Sequence, residues 1–353
     1  MDTTSNKKYL QIAEKHRVKQ DQEYPKPPVV LEQKNSGTGE STPLATSGNI
    51  SGVTGKAKSR KSFFIAIVAS ALLNDEITLR KYKGALPIGQ SDVIYFDTEQ
   101  SGYHVQQVLK RIQRLTNKKK LEHLYLYGLR ALKPSERLKV IEAVIYANAK
   151  IGFVIIDGIR DLVTSINDEE QATMIITKLL KWSDELNIHI IVVLHQNKGN
   201  EYARGHLGTE LIHKAELVLS VTKEKGNEAI SIVKAEYSRD IEPETFAFTI
   251  IDGLPVVVED FVENTVTSSR KIKLVDLKDE DKLKLLRDAF SDDNGLMYSE
   301  LKNQIKSSYN GLFKENVGDN QTKDFITECK SKKWLEQKKP KDKYSLSSSL
   351  EPP

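Results

Sequence analysis

The sequence predicts an α/β fold: a mostly parallel sheet sandwiched by helices, with an antiparallel edge hairpin and a smaller C-terminal domain. Three observations predict it. Unbroken apolar runs at Val93–Phe96, Phe153–Ile156 and Ile190–Leu194 each end in a polar residue, the pattern of strands buried on both faces. Between them lie stretches of helical period, such as Val105, Val108, Leu109 and Ile112, which place helices over that sheet. After Val221 the rhythm changes to shorter alternating strands, with Asp252-Gly253 supplying a tight turn.

The elements follow in order. Residues 1–28 are polar apart from Tyr9, Leu10, Ile12 and Ala13, and read as an arm containing one helix. Val29–Leu31 is a strand, and residues 35–43 a turn-rich loop returning toward the next strand. Then come a strand over 93–97, a helix over 103–115, a strand over 124–127 and a helix over 135–149. A strand over 153–157, a helix over 171–186 and a strand over 188–194 complete the alternation. Residues 217–221, 229–236, 245–251 and 254–258 close the sheet. The first domain thus spans 29–262. A polar linker, 263–275, leads to a second domain over 276–347, and 348–353 form a tail. In that domain, helices over 279–290, 298–305 and 321–332 precede short strands at 334–337 and 344–346. Three helices and a two-stranded wing describe a winged helix, the helix-turn-helix variant that reads duplex DNA.

Composition narrows the classes. No apolar run reaches the roughly 18 residues a membrane span needs, and Met1–Arg17 lacks the apolar core of a secretory signal. The single cysteine, Cys329, excludes an internal disulfide and a cysteine-based zinc site, which agrees with a reducing cytoplasm. Net charge is only +4, so charge as a whole says little about nucleic acid; lysines instead crowd toward the C-terminus.

One loop carries the chemistry. Gly55-Lys56-Ala57-Lys58-Ser59-Arg60-Lys61-Ser62 precedes Phe63 and an apolar helix, and it has the frame of a phosphate-binding P-loop. Backbone N–H groups of such a loop wrap a phosphate, the lysine reaches the β- and γ-phosphates, and the serine hydroxyl ligates Mg²⁺. Arg60 stands where the frame has a second glycine, so its side chain must leave the loop, adding to phosphate binding or obstructing it. Lys56 and Lys58 are the neighbouring alternatives to Lys61. Glu99, just past the strand ending at Asp97, is placed to deprotonate a water facing a γ-phosphate; Asp97 is its competitor, but lies within the strand end. Asp157, after four apolar residues, suits a carboxylate that holds Mg²⁺. His195 and Gln196, at the end of the next strand, can sense the γ-phosphate.

As an ordered set these parts resemble the RecA superfamily, and within it the RepA-type, DnaB-related hexameric helicases of plasmids and mobile elements. The matching positions are Phe96–Glu99, Ile155–Arg160, Leu194–Lys198, Arg204–Gly208 and Ala215–Ser220. The resemblance covers roughly residues 29–260 and implies a RecA-like, AAA-type ATPase using ATP and Mg²⁺. It further implies a homo-oligomeric ring, hexameric in that group, in which a neighbour supplies a basic finger; Lys234 and Arg239 are the candidates. Single-stranded DNA would pass loops 158–170 and 198–208, the second offering Lys198, Arg204 and His206 to a nucleic-acid backbone. Acidic Asp168–Glu170 argue against the first as a strong contact.

The C-terminal domain lies outside that resemblance. Gln321, Thr322 and Lys323 begin its third helix, where polar side chains reach base edges, and Lys338, Lys339 and Lys341 surround the wing, where they meet phosphates. The expected function is a Mg²⁺-dependent ATP hydrolase acting on DNA, a helicase in replication or transfer of a plasmid or mobile element. Two alternatives stay open: an ATP-gated DNA-binding regulator or loader, and a RecA-like recombination or repair protein.

Overall fold

The computed structural model describes residues 3–165, 167–196, 205–259, 261, 274, 277–291, 295–313, 316–339 and 341–347. The chain divides into two compact units, Met1–Val262 and Glu263–Pro353.

The first unit begins with an exposed helix, α1 (Thr3–Lys15), and strands β1 (Val29–Lys34), β2 (Ser41–Thr46) and β3 (Ile50–Gly55). Helix α2 (Lys61–Leu73), β4 (Tyr82–Gly84), β5 (Asp92–Asp97), α3 (Gly102–Thr116) and β6 (Leu124–Gly128) follow. Next are α4 (Pro134–Ala147), β7 (Ile151–Asp157), a short 3-10 turn (Ile159–Leu162), α5 (Glu169–Leu186) and β8 (His189–His195). The unit closes with α6 (Gly205–Lys214), β9 (Leu217–Glu224), β10 (Asn227–Ser238), β11 (Phe246–Ile251) and β12 (Leu254–Val257).

The nine-stranded sheet runs β12-β11-β10-β9-β3-β8-β7-β5-β6. From β9 to β6 every pair is parallel, while β10, β11 and β12 add antiparallel strands at one edge. Strand β8 therefore separates β3 from β7. Each face has its own core. Phe64, Ile67 and Val68 of α2 pack with Val108 and Ile112 of α3 on one side. Ile141 of α4, Leu179 and Trp182 of α5, and Leu207 and Leu211 of α6 fill the other. Covering both faces with apolar residues is what the unbroken strand sequences require.

Two expectations change. Residues 35–43 are not all loop: β2 starts at Ser41 and joins β1 and β4 in a three-stranded sheet. That sheet packs over α2 and explains why α2 is buried nearly all round. Pro43 obscured the strand, yet β2 is an edge, where a missing N–H is tolerated. The glycine-rich stretch before Ala215 is not loop to its end either, because α6 begins at Gly205 and buries Leu207, Gly208 and Leu211.

The second unit holds α7 (Asp279–Ala289), α8 (Tyr298–Phe313), α9 (Asp319–Ser331) and the antiparallel pair β13 (Leu335–Glu336) and β14 (Ser345–Leu346). Leu296 bridges Tyr344, adding a third extended segment ahead of α8. Helix α8 runs well past Ile305, because Ser308 and Tyr309 continue its buried stripe from Leu301 and Ile305. Leu285, Leu286, Phe325, Ile326, Leu335 and Tyr344 share one core with these.

Candidate functional site

Strand register assembles the site. Gly55, ending β3, pairs with His195, ending β8; Asp97, ending β5, pairs with Asp157, ending β7. Parallel strands in register finish at one edge of the sheet, where open α/β folds bind ligands.

The loop leaving β3 has no room for a side chain at its start. Gly55 adopts φ +153, and a Cβ there would lie 2.3 Å from the Val221 carbonyl oxygen of β9. Lys56, Ala57 and Lys58 are exposed and Ser59 is buried. Arg60 caps α2 from the left-handed region, φ 75 and ψ 31. The helix's own bonds begin at Phe63 and Phe64, whose amides donate to Arg60 O, so the Lys61 and Ser62 amides are available to an anion. The Arg60 side chain leaves the loop: Nη1 donates to Ala229 O at 2.6 Å and to Ser231 Oγ at 3.3 Å, both on β10.

Lys61 is buried. Its Nζ donates to Gly55 O at 2.9 Å, Lys56 O at 3.1 Å and His195 Nδ1 at 3.1 Å. Burial lowers its pKa to about 8, against the opposing pull of Asp157 and Glu99. With Nδ1 accepting from Lys61, the other ring nitrogen carries the proton, and Nε2–H donates to the Glu99 carboxylate at 3.3 Å. That bond is the main reason the Glu99 pKa is depressed, and the Lys61 and Arg160 charges act in the same direction.

Ser62 Oγ donates to Asp157 Oδ2 at 3.1 Å, and the buried Tyr95 hydroxyl donates to the same oxygen at 2.7 Å. Burial, with Asp97 adding repulsion, pushes Asp157 up to about 6. The half-buried Ser62 hydroxyl beside a carboxylate that is costly to ionise fits a hard divalent cation, whose charge offsets that cost. Asp97 is otherwise engaged. Its Oδ1 accepts from the Glu99 and Gln100 amides at 3.0 and 2.7 Å, and its Oδ2 from Gln100 Nε2 at 2.7 Å. It shapes the turn that carries Glu99. Gly158 fits the same turn from the other side: at φ +105, a Cβ would meet Thr98 Oγ1 at 2.3 Å and Glu99 Cγ at 2.8 Å.

Lys58–Phe63, Glu99, Asp157 and His195 line one cleft of about 450 Å³. Its remaining wall is a face of α3 that the sequence reading passed over: His104, Gln107, Val108 and Arg111, spaced at helical intervals. Arg111 stacks its guanidinium 3.6 Å over the Phe63 ring. Gln196 does not reach the cleft. Its amide donates to Gly55 O at 3.1 Å and its Nε2 to Thr54 Oγ1 at 3.3 Å, so it braces β3 from behind.

The remaining candidates are dispersed. Lys234 is exposed on β10. Arg239 donates to Lys214 O at 2.9 Å and His213 O at 3.4 Å, closing the C-terminal end of α6. Neither lines the cleft of its own chain. His206 is exposed on the first turn of α6, whereas Lys198 and Arg204 lie outside the described residues. Asp168 caps α5 by accepting from the Gln171 amide at 3.0 Å, a helix-start role for that acidic run. In the second unit Lys323, Lys338, Lys339 and Lys341 are exposed and Gln321 is half-buried. Thr322 cannot reach a base edge: it is fully buried and its Oγ1 donates to Gly318 O at 3.0 Å. Helical periodicity turns that position into the core, one step from Lys323.

Residues 43–201 match the family model of the AAA domain. No curated protein matches the chain. Among solved structures, that of the RadB recombinase is similar, at 16% identity and a TM-score of 0.43, over 60% of this chain and 92% of that one. The stretch that matches the AAA domain contains the loop after β3 and the ends of β5, β7 and β8 that form the cleft. Among the described residues no helix is long and apolar enough to cross a membrane.

Proposed function

We propose that this chain is a Mg²⁺-dependent ATP hydrolase that works on DNA, most specifically a ring-forming helicase of the RepA type. The observation that carries the reading is the convergence of Lys61, Ser62, Glu99, Asp157 and His195 on one cleft at the ends of three adjoining strands and the start of α2. Ser62 and Asp157 would hold Mg²⁺, which supplies charge neutralisation at the phosphates. The α2 amides and Lys61 bind and orient the triphosphate, in place of the carbonyls Lys61 now contacts. Glu99, kept ionised by its neighbours, takes the proton of the attacking water. Lys234 and Arg239 are the candidate fingers for a neighbouring site; in its own chain Arg239 closes the C-terminal end of α6.

The order of elements in the second unit, helix, extended segment, two helices and hairpin, supports a winged helix. Lys323 on α9 and Lys338, Lys339 and Lys341 on the hairpin loop would face the duplex. ATP turnover with and without single-stranded DNA, beside strand separation on a forked duplex, tests the proposal. DNA-stimulated turnover with unwinding is expected. Nucleotide-dependent duplex binding without unwinding would favour the ATP-gated regulator. One observation leans that way: His195 holds both Lys61 and Glu99 in the resting site. A filament on DNA, seen by negative stain, would instead favour a recombination role.

A further inference from the structure

Arg60 occupies a loop position whose backbone, at φ 75, is one that residues with side chains rarely adopt. Its guanidinium is nevertheless not spent on the loop. It reaches β10, where Nη1 donates to Ala229 O and Ser231 Oγ. The contact is returned, since Ser231, buried on β10, donates from Oγ to Ser59 O at 3.3 Å. Two consecutive loop residues are thus bonded to one short stretch of β10 from opposite partners. Further along β10 stands Lys234, and β10 pairs with β9, whose Val221 carbonyl confines Gly55. The phosphate loop is held at both ends, at Gly55 by the Val221 carbonyl of β9 and at the Ser59 carbonyl and the Arg60 side chain by β10.

We propose that Arg60 is a positioning residue that couples the phosphate loop to β10, so that a nucleotide in the cleft orders the strand bearing Lys234. The inference rests on the nucleotide-binding reading of the cleft. Its physical basis is that Arg60 serves two masters. Its own position caps α2, next to the amides that meet an anion, and its guanidinium holds a carbonyl of β10. An anion that fixes the cap fixes the origin of the side chain. That removes rotamer freedom from the arginine and strengthens its hold on Ala229. A glycine here would keep the loop conformation at lower strain and break the connection.

The test uses the full chain with a non-hydrolysable ATP analogue and Mg²⁺, following amide hydrogen exchange in β10. In the natural protein, saturating analogue should slow exchange across Ala229–Val233 by about tenfold. In Arg60→Gly, brought to equal occupancy by raising the analogue concentration, that nucleotide-dependent slowing should vanish, and the apparent Kd should rise several-fold. Arg60→Lys should restore part of the slowing, since it keeps a cation but loses the planar guanidinium whose Nη1 reaches both acceptors. A merely structural role would shift exchange equally with and without nucleotide. Full nucleotide-dependent slowing in Arg60→Gly overturns the coupling. Should Arg60→Gly not fold, absence of any difference between Arg60→Lys and the natural protein overturns it instead. If the natural protein binds no analogue at all, the nucleotide reading falls first, and the coupling with it.

Discussion

Lys61 Nζ lies 3.1 Å from His195 Nδ1, and the opposite nitrogen of the same ring holds Glu99 at 3.3 Å. A single imidazole therefore links the residue that would bind phosphate to the residue that would activate water. In the resting site Lys61 is also bonded to two loop carbonyls. Any phosphate that takes Lys61 away from them must disturb the His195 bond, and so the setting of Glu99.

Lys61→Ala should abolish ATP turnover, by about 10²–10³-fold or more, since it deletes a cation aimed at developing phosphate charge. The stability effect has the opposite sign. Burial lowers the Lys61 pKa from 10.5 to about 8, so at pH 7 folding holds an ammonium where it is disfavoured. Without nucleotide the variant should be more stable, by roughly 1–2 kcal/mol in thermal or denaturant unfolding. If instead Lys58→Ala is inactive and Lys61→Ala turns over normally, the register of the loop is wrong.

Glu99→Gln should keep nucleotide binding and lose turnover by about 10²–10⁴-fold, because the amide still hydrogen-bonds water but cannot accept its proton. Asp97 is poorly placed to compensate, since both its oxygens accept bonds within the Glu99 turn. Normal turnover in Glu99→Gln, measured beside a direct binding assay, would remove the role from this residue.

The parts of the site that sequence made legible are those fixed by strand ends. An apolar run followed by Asp157 or His195 states both the strand and the side on which it finishes, because parallel strands in register end together. The α3 wall was harder to read. His104, Gln107 and Arg111 sit on an amphipathic helix whose polar face looks like any solvated face until α2 brings Phe63 beneath Arg111. Gln196 and Thr322 failed for a shared reason, since a one-residue step along a strand or helix turns a side chain to another face. Strand β2 was hidden by Pro43, which reads as a strand breaker unless the edge position is known.

Two buried groups should give acid sensitivity of opposite sign. His189 is fully buried, beside Ser51 Oγ at 2.8 Å and bonded to Thr46 O at 2.9 Å, and burial lowers its pKa from 6.5 to about 4. The unfolded chain takes up that proton first, so stability is lost as pH falls from about 6.5 to 4, by about 3 kcal/mol. Asp157 is raised from 3.8 to about 6. Here the folded chain takes up the proton first, so stability is gained as pH falls from about 6 to 4, by a similar amount. The two offset in the natural protein without metal. Asp157→Asn should therefore steepen the loss of stability between pH 6.5 and 4, and His189→Gln should reverse it. Parallel unfolding curves for both variants and the natural protein across that range would contradict these assignments.

The last prediction concerns the exposed lysines of the second unit. Lys330 and Lys332 are partly committed: Lys330 lies over the Tyr344 ring at 5.3 Å, and Lys332 bonds Asp279 at 2.6 Å. Lys338, Lys339 and Lys341, exposed on the loop joining β13 to β14, form no such ion pair among the described residues and are the better candidates for phosphate. Each lysine–phosphate contact releases condensed counterion and adds about 0.9 to the slope of log K against log salt. Neutralising all three in the full chain should weaken duplex binding for every sequence alike and reduce that slope by about 2–3. Lys323→Ala, together with Gln321→Ala, should instead change the ranking among sequences, because α9 would present them to base edges. Thr322→Ala should leave that ranking alone and cost stability, since its hydroxyl bonds within its own helix. If the triple lysine variant binds duplex with unchanged affinity and salt slope, the hairpin does not meet DNA, and the second unit is better read as a protein-docking domain.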